Sequence, residues 1–137
     1  MKGGETLLNP NFNPADSRLQ DIFDHLQSNG FKVYFPAQHV GECKEPYIVV
    51  RLNPLTEVIG FSTDFQSYSV LCHVPRLNYG MFESYIRSVK TCMKDLFPMI
   101  VSERVQSQSF YDDQLKGHVV DVGYRNAQKF NHQKEFD

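Results

Sequence analysis

The sequence is poor in the features that usually declare chemistry. It has three cysteines, Cys43, Cys72 and Cys92. An odd number spread along the chain makes no disulfide framework, so all three are read as reduced thiols of a chain folded in a cytoplasm. No apolar run reaches the roughly 18–20 residues that cross a bilayer, so no membrane segment is expected. The first residues, MKGGETLLNPNFNPADSR, lack the apolar stretch of a signal peptide. The spacings C-x-x-C, H-x-x-x-H, G-x-S-x-G and G-x-G-x-x-G are absent, as is the phosphate-binding P-loop. Positive charge is also short: 14 Lys and Arg stand against 16 Asp and Glu, a net charge of −2. A domain that holds nucleic acid through its overall field would be clearly basic.

What is present suits one ordered domain. The chain has 137 residues, 41% hydrophobic and 22% charged, enough for a single core. Residues 1–13, rich in Gly, Asn and Pro, read as an N-terminal arm. Residues 14–126 read as the domain and residues 127–137 as a polar C-terminal tail. A first helix is expected after Asn13 as cap, with Pro14 in the first turn and Asp16 at the positive end of the dipole. Leu19, Ile22, Phe23 and Leu26 form its apolar stripe, and Asn29-Gly30 ends it.

Strands are expected at Phe31–Phe35, Tyr47–Leu52 and Ser67–Val74, from aromatic and β-branched runs and, in the third, strict alternation. The link NPLTEVIGFSTDF between the last two suggests an extended hairpin arm. A second amphipathic helix is expected from Asn78 to Phe97, with Phe82, Tyr85, Ile86, Val89, Met93 and Leu96 on its apolar face. Glu83, Arg87, Lys90 and Lys94 take the other face, and Pro98 stops the helix. Two further strands, near Val101–Phe110 and Lys116–Arg125, are joined by the loop YDDQLKG. The order α-β-β-β-α-β-β predicts an α+β fold: a mainly antiparallel sheet of about five strands with two amphipathic helices on one face. The ten-residue link after the first strand predicts antiparallel pairing of the first two strands.

Few residues invite a chemical reading. Cys72 and His73 are neighbours on a strand and face opposite ways, so they do not share an ion, and no metal site or cofactor is expected. Cys43 with His39 is the one tempting nucleophile–base pair, but no third group orients it. Asp112-Asp113 sits in a turn, where Asp is favoured by turn chemistry alone. Arg51, Arg125 and the basic helix face make at most a modest positive stripe. The remaining signal is shape. Tyr34, Tyr47, Phe61, Phe65, Phe110 and Tyr111 lie near strand ends or in links, where aromatic side chains anchor interfaces well. Open sheet edges need a neighbour or a cover.

Three segments, VYFPAQHVGECKEPYIVV, CHVPRLNYGMFESYIRSVKTCMKDLFPMI and SFYDDQLKGHVVDVGYRNAQK, resemble the tail-terminator and tail-completion (head–tail joining) proteins of tailed bacteriophages. The resemblance implies a non-enzymatic virion subunit, assembled in the host cytoplasm. It would form a ring, typically a hexamer, at the head-proximal end of the tail. Its implied partners are further copies of itself, the tail tube protein and the head connector, with genome DNA passing through the lumen. A closed ring needs a heterologous interface, one patch meeting a different patch on the next copy.

Under this reading three links are interface elements. The expected contact residues are His39, Glu42, Lys44 and Glu45 in the first, Phe61 and Phe65 in the second, and Tyr111, Asp112 and Asp113 in the third. The alternatives are a head-side neck protein, a small thiol enzyme using Cys43 and His39, and a monomeric binding module.

Overall fold

The computed structural model describes residues 18–53, 56–57 and 64–126. The arm over residues 1–13, the cap at Asn13 to Asp16, and the tail over 127–137 lie outside the described residues. Helix α1 is Leu19–Ser28. Its predicted stripe faces the core: Ile22 and Leu26 are fully buried, with Leu19 and Phe23 packed beside them. Gly30 takes a left-handed φ of 95° just past its end, a conformation that costs glycine nothing.

Strand β1 (Val33–Tyr34) is followed by β2 (Tyr47–Leu52), the short ribbon of β3 (Thr56–Glu57) and β4 (Asp64–Phe65), and β5 (Ser67–Pro75). A 3-10 segment, Arg76–Met81, leads into helix α2, Phe82–Met93, and a 3-10 turn, Lys94–Leu96, follows it. The chain closes with β6 (Ile100–Gln106), β7 (Phe110–Asp112) and β8 (Gly117–Asn126). One six-stranded sheet runs β1-β2-β5-β8-β6, with β7 also pairing β8, and β3 and β4 pair only each other.

The sheet is mostly antiparallel and the class is α+β, as the alternation and helix stripes predict. Register sorts its faces. Val70 pairs with Val50 and Val122, and Cys72 with Ile48 and Val120. Together with Val89, Cys92 and Met93 of α2 and the α1 stripe, these side chains make the core. Both helices therefore lie on one face. They are tied together by His25, whose Nε2 donates to the Cys92 carbonyl at 2.8 Å and lies 3.5 Å from Asp95.

Three expectations are corrected. First, β1 pairs β2 in parallel, Val33 with Ile48 and Tyr34 with Val49. Only two residues pair, and the link does not double back as a hairpin. It crosses the sheet face that the helices leave open and re-enters in the same direction, doing as a loop what a helix does in longer crossovers.

Second, the second helix is shorter than its apolar spacing suggests. Asn78 has φ −109° and ψ 25°, outside helical values. Asn and Gly, at Asn78 and Gly80, are poor α-formers, and the segment tightens into 3-10 turns.

Third, the strand expected over Val101–Phe110 is two strands. Residues 107–109 break it, where the Ser107 amide donates to Asp121 O at 2.8 Å and its hydroxyl accepts from the Asp121 amide at 2.9 Å. The register slips between Ser102 and Gln106, and Arg104 adopts a φ of 60° inside that bulge. Bulges of this kind blunt an edge strand against indiscriminate pairing.

Candidate assembly interfaces

The open face of the sheet carries Tyr47 and His73, which are register partners. Neither is covered by a helix, yet they are 2% and 6% exposed. The link between β1 and β2 covers them. The His39 ring stacks on Tyr47 at 4.0 Å between centroids and Tyr47 stacks on His73 at 4.3 Å, while Tyr34 meets both His39 and Tyr47 edge-on. Stacked and edge contacts add about 0.5–1.5 kcal/mol each beyond area burial, so this ladder holds the link down.

Burial pushes the His73 imidazole down to about 4, against partial support from the Leu71 carbonyl it hydrogen-bonds. His73 is therefore neutral at neutral pH. The Tyr47 phenol is pushed up to about 12, chiefly by burial.

Further along the link Gly41 takes a φ of 89°, and the chain then presses onto β8. The Cys43 amide donates to the Leu115 carbonyl at 2.6 Å, and the Cys43 thiol donates to the Glu45 carbonyl at 3.4 Å. At Gly117 a Cβ would lie 2.9 Å from Cys43 Cβ and 3.0 Å from the Val74 carbonyl oxygen. Glycine is required there for close approach. Burial raises the Cys43 thiol to about 11, far from the thiolate a nucleophile needs. His39 gives it no help, because its Nδ1 is buried without a hydrogen-bond partner.

Two of the three predicted interface links therefore meet at one end of the sheet. Glu42, Lys44 and Asp113 are exposed there, and Glu45 pairs with Lys32 at 3.5 Å. Asp112 caps its own turn, accepting from the Gln114 and Leu115 amides at 2.9 and 3.1 Å. That is turn chemistry, leaving one carboxylate oxygen for other work. Tyr111 stays partly exposed and packs against His118 at 5.3 Å.

Tyr79 reaches the same His118 at 4.6 Å and is 57% exposed. Leu77 in the same 3-10 segment is 82% exposed, and Met81, Phe110 and Val40 are exposed at this end as well. Leu77, Tyr79 and Met81 are the residues the sequence reading missed. Read as the start of a helix or a link to it, they gave no sign of an apolar rim. The 3-10 segment turns them outward, and the only signal was the Asn-x-Gly interruption.

The second link behaves differently. Phe61 lies outside the described residues. Phe65 pairs with Thr56 as one rung of the β3–β4 ribbon, so the hairpin arm expected between β2 and β5 has its base in the structure. At this end the open face is polar. The Ser69 hydroxyl donates to Asp121 at 3.0 Å, Asn53 donates to Ser69 at 3.1 Å, and Arg51 lies 3.8 Å from Asp121.

Among the described residues, no group of three or more His, Cys, Asp or Glu side chains is placed to hold a metal ion, and no helix is long and apolar enough to cross a membrane. No protein-family model matches the chain, and no curated protein matches it.

Proposed function

We propose that this chain is a structural subunit of a tailed-phage virion, a tail-terminator or head–tail joining protein that works as one member of a homo-oligomeric ring. The observation that carries this reading is that Tyr79 and Tyr111 stand exposed against His118, with Leu77 and Met81 exposed in the same 3-10 segment as Tyr79. A monomer has no use for large exposed side chains grouped in this way, whereas an interface core is built from them. The α+β order and the three resembling segments support the family reading; the exposed apolar side chains support assembly. Tail tube protein and head connector are the partners proposed for the two faces of the ring, with DNA threading its lumen.

The thiol-enzyme alternative draws no support from the geometry, since Cys43 is buried, neutral and bonded to a backbone carbonyl. The test is a tail assembly reaction viewed by electron microscopy. With the protein present, tubes stop at a uniform length and accept heads. Unchanged tube length and head attachment after its omission would end the proposal.

A further inference from the structure

The link between β1 and β2 is fastened to the sheet at two points. Of residues 36–45 only His39 and Cys43 turn away from solvent, and the rest are exposed. His39 is held by ring contacts alone: it stacks on Tyr47 and meets Tyr34 edge-on, while its buried Nδ1 has no hydrogen-bond partner. Cys43 is held by its amide, which donates to the Leu115 carbonyl. Among the described residues that is the one hydrogen bond from residues 36–45 to a distant part of the chain. Ala37 and Gly41, either side of His39, take left-handed φ values of 69° and 89°. Glycine adopts that conformation freely, whereas the Cβ of an alanine crowds its carbonyl. The segment is pinned in place against a local preference to relax.

Beneath it lies a ring that can hold a charge only when wetted. His73 is 6% exposed and stacks on one face of Tyr47, with His39 on the other. The titratable groups around this stack are Tyr34 of β1, Tyr47 of β2, Cys43 of the link and Asp112 of β7. Burial disfavours a charge on His73 and His39 adds to that, while Asp112 and the backbone at Leu71 and Tyr47 oppose it. Burial prevails, and the closed ring refuses a proton down to about pH 4. The helix-side core stands on the opposite face of the sheet, with Val70 and Cys72 against Val89, Cys92 and Met93. It keeps its contacts whether or not the link is seated.

We propose that the link is an acid-released latch: a proton on His73 drives residues 36–45 off the sheet while the helix-side core stays folded, bringing the Cys43 thiol into solvent. The inference concerns the single subunit and holds with or without the ring reading above. Its sign follows from linkage. As pH falls below 6.5 the open form binds a proton at His73 that the closed form does not, so opening grows until about pH 4 and then levels off. Between pH 7 and pH 4.5 the opening constant should rise about fiftyfold. Opening also withdraws Val40, Glu42 and Lys44 from the positions in which the closed link presents them.

The native cysteines report local and global opening separately. Cys43 lies under the link, whereas Cys72 belongs to the core on the other face. Full-length protein is treated at pH 7 and pH 4.5 with excess 4,4′-dithiodipyridine, which attacks thiols in acid as well as at neutral pH. Peptic digestion and mass spectrometry read the label at each position. Each rate is compared with that of the same cysteine in the urea-unfolded chain at the same pH, which cancels the thiol's own ionisation. The protection of Cys43 should fall about fiftyfold between the two pH values. At pH 4.5 it should be at least about tenfold weaker than that of Cys72, as sub-global opening requires.

His73→Phe keeps a ring in the stack and should hold the change at Cys43 to within about threefold. His39→Phe leaves the titrating ring in place and should retain most of the change. Equal protection of Cys43 and Cys72 at pH 4.5 would show that the link leaves only with global unfolding and would overturn the inference. So would a Cys43 protection that does not fall with pH, or a fall that survives His73→Phe. The wild type alone decides the first two outcomes, so the test does not depend on either variant folding.

Discussion

His73 should make the fold sensitive to acid. Its imidazole sits beneath Tyr47, 6% exposed, and burial lowers its pKa from 6.5 to about 4. His39 adds to that shift and Asp112 opposes it. Between these two pH values the unfolded chain binds a proton that the native chain does not, so stability falls as pH falls. It is intact above about pH 6.5 and the loss is complete below about 4. At about 1.36 kcal/mol for each pH unit between these two values the loss is about 3 kcal/mol, a sizeable share of the roughly 5–15 kcal/mol typical of a domain.

His73→Phe keeps a ring in the stack and removes the titration. Urea unfolding at pH 7 and pH 4.5 measures both chains. The wild type should lose about 2–3 kcal/mol more than the variant over that interval. Parallel losses within about 0.5 kcal/mol, or an NMR titration placing His73 near 6.5, would refute the account of the ladder.

Two further outcomes follow from the link. Gly117→Ala drives a Cβ to 2.9 Å from Cys43 and 3.0 Å from the Val74 carbonyl oxygen, and should cost about 1–3 kcal/mol as overpacking does. Gly80→Ala meets nothing within 4 Å and should stay within about 0.5 kcal/mol of wild type in the same melts. Cys43, raised from 9.0 to about 11, should carry roughly a hundredfold less thiolate than an ordinary thiol at neutral pH. Iodoacetamide labelling followed by mass spectrometry should find it slow in the folded protein and normal in urea. A rapid reaction in the folded state would reopen the enzyme reading.

Much of the fold was legible because periodicity reports faces. The i, i+3, i+4, i+7 spacing of Leu19 to Leu26 and the alternation of Tyr68, Val70, Cys72 and Val74 name the side chains that meet in the core. Periodicity does not report which strands are neighbours. It therefore could not show that β1 returns parallel to β2, because two paired residues carry no pattern. Nor could it show the break at residues 107–109, which depends on Ser107 bonding Asp121. The ring ladder was hidden for a similar reason. His39, Tyr47 and His73 are far apart in sequence, and their stacking requires the crossing path of the link.

The link from Pro36 to Pro46 holds the first set of expected contact residues, and its inward and outward side chains have different work. His39 and Cys43 face the sheet, one stacked on Tyr47 and the other against Gly117. Val40, Glu42 and Lys44 stand in solvent between and beside them, Val40 being 88% exposed. The inward set fixes the backbone that presents the outward set. A partner meeting this surface therefore finds a loop whose ordering cost, about 1–2 kcal/mol of backbone entropy per residue, was met when the domain folded. Preorganisation of that kind raises affinity without enlarging the contact. It also makes the open face more than an unfinished layer: the loop buries the sheet as a second helical layer would, and leaves its own outer side chains in solvent.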